Sequence, residues 1–199
     1  MKEHFLTLLR QRETDTPVFR STADKLASLI AQEIADEMPL QTQKIHTPIG
    51  EATGAFFAKK VVLVPILRAG LAFLPSFINL FSNASIGFLG IKRAEKDALP
   101  HLYYENLPDI DSDTYVFLLD PMLATGGTAN LALDKLVEKG ASPATTVMAS
   151  FLAAKTGVEA VHTRYPQVKI HTAAIDPHLD SKKFITPGLG DFGNRYFGT

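Results

Sequence analysis

The sequence predicts an α/β protein with a largely parallel central sheet flanked by helices, and three observations carry that prediction. Short apolar runs rich in β-branched residues recur along the chain, with helix-like segments between them. The runs show little polar alternation, so both faces of each strand must be covered. Parallel neighbours also need crossover connections, which the intervening helical segments supply.

In chain order, the first 40 residues or so form a helical segment. From Asp24 to Met38, Leu26, Leu29, Ile30, Ala31, Ile34, Ala35 and Met38 recur at three- and four-residue steps, and Pro39 stops the helix. A polar stretch containing Pro48 and Gly50 follows. Val61 to Leu67 is the first buried strand. Further runs stand at Ile86 to Ile91, Tyr115 to Leu119 and Thr145 to Leu152, with a weaker one at Val168 to Ala174. The clearest crossover helix is Thr128 to Lys139: Ala129, Ala132, Leu133, Leu136 and Val137 share a face, and Gly140 suits the left-handed residue after the helix. Ligands of such sheets bind beyond the carboxyl ends of the strands.

A chain of 199 residues fits a single domain over residues 1–199. Its 46% hydrophobic and 21% charged residues are those of a globular protein. Twenty Lys and Arg stand against 21 Asp and Glu, a formal charge of -1, so no global field attracts nucleic acid or an anionic membrane. Any anion must be caught locally. With no cysteine, disulfides, thiolate nucleophiles and Cys-bound zinc are excluded. Neither a signal peptide nor a run of roughly 20 apolar residues is present, and the expected location is cytoplasmic. The six histidines show no ligand spacing, and Asp109, Asp111 and Asp113 suggest a solvated turn.

The most informative segment runs from Tyr115 to Thr128: a buried strand ending in Asp120, a loop, then a helix. A helix N-terminus leaves its first N–H groups unpaired and carries partial positive charge, so it holds an anion without any basic residue. Gly126 and Gly127 are expected to bring the backbone close and adopt positive φ, with Thr125 and Thr128 adding hydroxyls. Neither a Walker A ending nor the Gly-x-Gly-x-x-Gly fingerprint is present. The loop alone also fits an ordinary tight turn with a threonine cap. Asp120 favours the phosphate reading, because a carboxylate at a strand tip can face the two ribose hydroxyls of a sugar phosphate.

Asp120-Pro121-Met122-Leu123-Ala124-Thr125-Gly126-Gly127-Thr128 resembles the phosphoribosyl-pyrophosphate (PRPP) loop of the uracil phosphoribosyltransferases. Pro65 to Gly70 is similar to that family's pyrophosphate loop, Ile185 to Arg195 to its uracil segment, and Leu6 to Arg10 and Tyr196 to Thr199 to its two ends. The resemblance implies a type I phosphoribosyltransferase fold with a small hood element, and transfer of phosphoribosyl from PRPP to uracil. It further implies magnesium dependence and a homodimer or larger assembly, and because GTP activates some relatives it leaves GTP open as an effector.

Carried over by position, Arg68 and Arg93 would reach pyrophosphate, Asp120 and residues 121–128 would hold PRPP, and Asp191 would lie near PRPP, through magnesium or water. Ile185, Gly190, Asp191 and Phe192 would read uracil, largely through the main chain, in a C-terminal segment of about residues 184–199. Arg68 and Arg93 also fit surface arginines. Ala94 to Asn106 is expected to form a mobile hood. Lys92, Ala94, Phe184 and Phe192 depart from the family's usual tyrosine, acid, tyrosine and alanine, and Phe192 is expected to narrow or reshape the pocket. Two rival readings stand beside this one: transfer to another base, and a regulator of the same fold that senses nucleotides and binds RNA.

Overall fold

The computed structural model describes residues 1–93 and 99–199, the side chain of Arg93 excepted. Two helices open the chain, α1 (Lys2–Arg10) and α2 (Thr16–Asp36). The second begins well before Asp24, because Asp15 caps it by accepting from Val18 N at 2.9 Å and Pro17 fits its first turn. Its inner stripe, Phe19, Ala23, Leu26, Ala27, Ile30 and Ile34, is fully covered. Strands β1 (Leu40–Thr47) and β2 (Gly50–Phe57) then form an antiparallel hairpin apart from the main sheet, in the stretch that composition reads only as polar.

The main sheet follows. β3 (Val61–Leu67) and β7 (Tyr115–Leu119) occupy the expected ranges. The run expected from Ile86 to Ile91 is divided into β4 (Ser85–Ile86) and β5 (Phe88–Arg93). Gly87 stands at the break, where a Cβ would meet Pro108 Cδ at 2.8 Å. β6 (Pro100–Asn106) returns antiparallel to β5, so part of the expected hood is a β-strand; Ala94 to Ala98 lie outside the described residues. β8 (Met122–Leu123), β9 (Thr146–Ala154) and β10 (Lys169–Asp176) complete the sheet. Among the described residues its order is β10-β9-β7-β3-β5-β6, with β4 on β3 and β8 on β9. Every pairing except β5 with β6 is parallel.

Alternation along the strands divides the core. Leu63, Phe117, Leu119, Ala149 and Phe151 face α1, α2 and α3 (Leu74–Leu80). Val62, Val64, Val116, Leu118 and Met148 face the other way, onto α4 (Gly127–Glu138) and α5 (Lys155–Arg164). Phe73 stacks on Phe151 with centroids 4.1 Å apart, and each such buried ring contributes roughly 1.5–3 kcal/mol of transfer free energy. After α4, Gly140 takes φ +110 as predicted, and a Cβ there would lie 2.7 Å from Ile110 O. The chain ends in a short ribbon, β11 (His178–Leu179) with β12 (Ile185–Thr186), and α6 (Phe192–Phe197).

Candidate active site

Three segments meet beyond the carboxyl ends of β3 and β7. The first follows β3, where Arg68 leads into a 3-10 turn over Ala69–Ala72. A Cβ on Gly70 would lie 2.3 Å from Leu119 O, so only glycine lets this loop press against the end of β7. Arg68 is exposed, and its guanidinium lies 5.2 Å from the Phe197 ring centroid.

Asp120 follows β7 and is held through its backbone by β9. Its N–H donates to Ala149 O at 3.1 Å, and its carbonyl accepts from the buried Ser150 Oγ at 2.6 Å. Pro121 O accepts from Phe151 N and Leu152 N at 3.0 and 3.1 Å, and β8 then continues along β9. The half-buried Asp120 is thus fixed at the sheet's rim. The loop turns into α4 at Gly126, which has φ +81 and makes the N-cap, with no side-chain cap bond on the helix. First-turn N–H groups arranged in this way suit an anion.

Of the two loop glycines only Gly126 has positive φ; Gly127 is already the first helical residue, which corrects the expectation for the pair. Gly126 has a packing reason as well, since a Cβ would meet Ala160 Cβ at 2.8 Å and Gly157 O at 3.1 Å. Thr125 Oγ1 stands 3.5 Å from Gly127 N.

The third segment is the chain's C-terminal stretch. Ile185 is buried in β12, Gly188 and Gly190 take φ +66 and +82, and Asp191 caps α6 by accepting from Asn194 N at 2.9 Å. The Phe192 ring is 2% exposed and packs on Phe19, Phe151 and Tyr196 with centroids 5.3, 5.3 and 5.5 Å away. The ring is therefore packed among core residues, while Phe192 also stands on the cavity wall.

A cavity of about 360 Å³ is walled by Arg68, Asp120, Met122 and Ala124 on one side and by Ile185, Gly190, Asp191 and Phe192 on the other. Lys182, Lys183 and Phe184, all exposed, line it too. A second space of about 350 Å³ shares Arg68, Asp120, Met122 and Asp191 and adds Thr128. The Asp120 loop and the C-terminal stretch therefore face one cleft. Pro121, Leu123, Thr125, Gly126 and Gly127 shape the loop without lining these two spaces. A third space, of about 490 Å³, joins Arg68 to Lys92 and Tyr103. The Arg93 side chain lies outside the described residues. Among the described residues no group of three or more His, Cys, Asp or Glu is arranged to hold a metal ion.

Sequence reasoning missed the side chains that hold the C-terminal stretch. Arg10 forks onto Asp176, with Nη1 to Oδ2 and Nη2 to Oδ1 both at 2.7 Å. Asp176 is 5% exposed at the end of β10. Burial alone would raise its pKa, but hydrogen bonds from Arg10 and from Gly188 N prevail and hold it below the usual carboxylate value. Arg195 donates to the carbonyls of Leu9, Leu189 and Gln11, the last two at 2.8 and 2.6 Å, and its guanidinium lies 4.4 Å from the Phe19 centroid. An available signal was Asp176-Pro177, which ends an apolar strand just as Asp120-Pro121 does.

A sequence profile of the uracil phosphoribosyltransferase family matches residues 1–199. A uracil phosphoribosyltransferase of Limosilactobacillus reuteri is 42% identical over 198 residues, 99% of this chain and 94% of that protein. One from Salinibacter ruber is 42% identical over 194 residues, 98% of this chain and 91% of the relative. Among solved structures, the AQ2163 protein of Aquifex aeolicus superposes with TM-score 0.93 at 34% identity, covering 100% of this chain and 94% of the other. Hypoxanthine phosphoribosyltransferase from Trypanosoma cruzi shares only the fold, with TM-score 0.53 at 13% identity over 80% of this chain and 75% of that one.

Proposed function

The chain belongs to the uracil phosphoribosyltransferase family, and from that premise we propose how its own residues transfer the phosphoribosyl group of PRPP to uracil, giving UMP and pyrophosphate. The observation that carries the proposal is the single cavity walled by the Asp120 loop and by Ile185 to Phe192.

The 5′-phosphate of PRPP sits at the uncapped first turn of α4, where N–H groups and the helix dipole hold it. Asp120 then faces the ribose hydroxyls, and its carboxylate offsets the positive charge that grows on the ring as the C1–pyrophosphate bond stretches. Arg68, reaching over from the end of β3, takes the departing pyrophosphate with its fork of donors. Arg93 is assigned to the same group by family position. No covalent intermediate is needed, because alignment of uracil N1 with C1 supplies much of the rate.

Uracil presents two carbonyl acceptors and an N3–H donor. Backbone groups at Ile185 and Gly190 to Phe192 meet that pattern, whereas cytosine would turn N4 donors toward N–H groups. Each such mismatch leaves a buried polar group unpaired, at about 1–3 kcal/mol. Since the Phe192 ring is packed in the core, this residue acts through its main chain.

Magnesium fits a site of this make-up. Asp120 and Asp191 face a shared space, where Asp191 would act as an outer partner to an ion held mainly by substrate oxygens. When bound, the ion neutralises charge on the leaving group. Association into a homodimer or larger assembly is supported by the hairpin, where Leu40, Ile49, Phe56 and Phe57 remain exposed. GTP as an effector rests on the family alone. A cytoplasmic location agrees with the finding that no helix among the described residues is long and apolar enough to cross a membrane.

The test is steady-state turnover of uracil with PRPP and magnesium, measured for the parent and for Asp120→Asn. UMP forms with the parent, and kcat falls on the order of 100-fold in the variant. Equal turnover in the two proteins removes Asp120 from the mechanism.

A further inference from the structure

Gly188 is gripped at both of its backbone polar groups. Its N–H donates to Asp176 Oδ2 at 2.8 Å, and its carbonyl accepts from Arg10 Nη1 at 2.8 Å. Arg10 and Asp176 are themselves joined by two bonds of 2.7 Å, so the three residues close a triangle. No side chain is admitted at the apex: φ is +66, and a Cβ would stand 2.0 Å from Ile185 O. One residue further on, Leu189 O accepts from Arg195 Nη1 at 2.8 Å. Neither Arg10 nor Asp176 lines the cavity.

A largely buried ion pair is seldom the most stabilising choice, since apolar residues of equal volume often do as well or better. What it adds is direction. Two charged groups bonded to each other and to the two peptide units that flank the Gly188 Cα leave that residue a single orientation. Gly188 lies between Ile185 and Gly190, the positions assigned to contact the base, and recognition through the main chain depends on where those N–H and C=O vectors point.

We propose that Arg10 and Asp176 are positioning residues for base recognition: they fix the turn from Ile185 to Gly190 so that its backbone meets uracil, without touching substrate themselves. The role rests on the reaction assigned above and extends it to α1 and to the end of β10, which contribute to base selection from behind the cavity wall.

The experiment compares Arg10→Lys and Asp176→Asn with the parent and with Lys2→Ala. Lys2 also ties α1 to its neighbours, through Glu33 at 2.8 Å and Thr172 O at 3.3 Å, but neither partner belongs to the turn. Varying uracil and PRPP separately, the expected result is a uracil KM raised about tenfold in both test variants, a PRPP KM within about twofold of the parent, and Lys2→Ala unchanged. The ratio of uracil to cytosine turnover falls in the same two variants.

A merely structural role would lower the active fraction, so kcat per mole of total protein would drop while both KM values stayed at the parent's; that outcome overturns the proposal. If Asp176→Asn is insoluble, Arg10→Lys decides alone, and a uracil KM equal to the parent's refutes the role. A parent inactive with uracil and PRPP overturns the reaction instead. Amide exchange at Leu189 and Gly190 then tests whether the pair fixes the turn at all: faster exchange in Arg10→Lys upholds that part of the proposal and unchanged exchange rejects it.

Discussion

Two strands of the sheet, β7 and β10, end in the same dipeptide and use it for different ends. Asp120-Pro121 follows β7, and Asp120 stands half-buried on the wall of the cleft. Asp176 is the last residue of β10, directly before Pro177, and is buried beneath α1, bonded to Arg10 and Gly188. The local chemistry is alike; what differs is which part of the chain arrives on top. The two halves of the cleft differ in the same way. Packing against α5 shapes the phosphate loop, with Gly126 set against Gly157 and Ala160. Charged side chains distant in sequence hold the side formed by the C-terminal stretch, across 166 residues for Arg10 with Asp176 and 178 for Arg10 with Gly188.

That contrast can be tested by stability as well as by rate. Phe192→Ala should cause the largest loss, about 3–5 kcal/mol in urea unfolding, because its ring fills the core beside Phe19 and Phe151. A loss below about 1 kcal/mol would return the ring to the cavity. Next comes Asp176→Asn, expected to lose about 3 kcal/mol by leaving the Arg10 charge under-compensated, against about 1 kcal/mol or less for Asp120→Asn on the open wall. Equal losses at the two aspartates would erase the distinction between the dipeptides.

Gly126→Ala should lose about 1–2 kcal/mol from its left-handed φ, with a raised PRPP KM and an unchanged uracil KM. The smallest effect is that of acid. Because the folded pKa of Asp176 is depressed, its contribution is complete above the unfolded value of about 3.9 and is lost as pH falls through the lower folded value. Thermal unfolding should therefore show no contribution from Asp176 to pH dependence between pH 7 and 5. Below about pH 4 the parent should lose a stabilisation that Asp176→Asn never had.

Much of the fold was legible because its signals are local. The unbroken apolar runs at Val61 to Leu67 and Tyr115 to Leu119 could only be covered strands, and α4 showed its stripe. The β1–β2 hairpin was not legible, because both of its faces are largely exposed and no period-two burial marks it. The early start of α2 depended on a cap at Asp15 that precedes any apolar periodicity. In the cleft, Asp120, the loop glycines and Arg68 lie in contiguous motifs. The partnership of Arg10 with Asp176 has no local trace, since nothing in either neighbourhood names the other, and only the strand-terminal aspartate hinted at it. The destination of the Phe192 ring was likewise hidden until α2 and β9 were seen to flank it.

The triangle of Arg10, Asp176 and Gly188 also sets an order of events on the ribosome. Its members are far apart along the chain, with 178 positions between Arg10 and Gly188, so the Arg10 guanidinium on α1 stays unclaimed by Gly188 until that whole stretch has been made. The sheet and phosphate loop can assemble while synthesis continues. The turn from Ile185 to Gly190 cannot, because the bonds from Arg10 and Asp176 that hold it close only once Gly188 is in place.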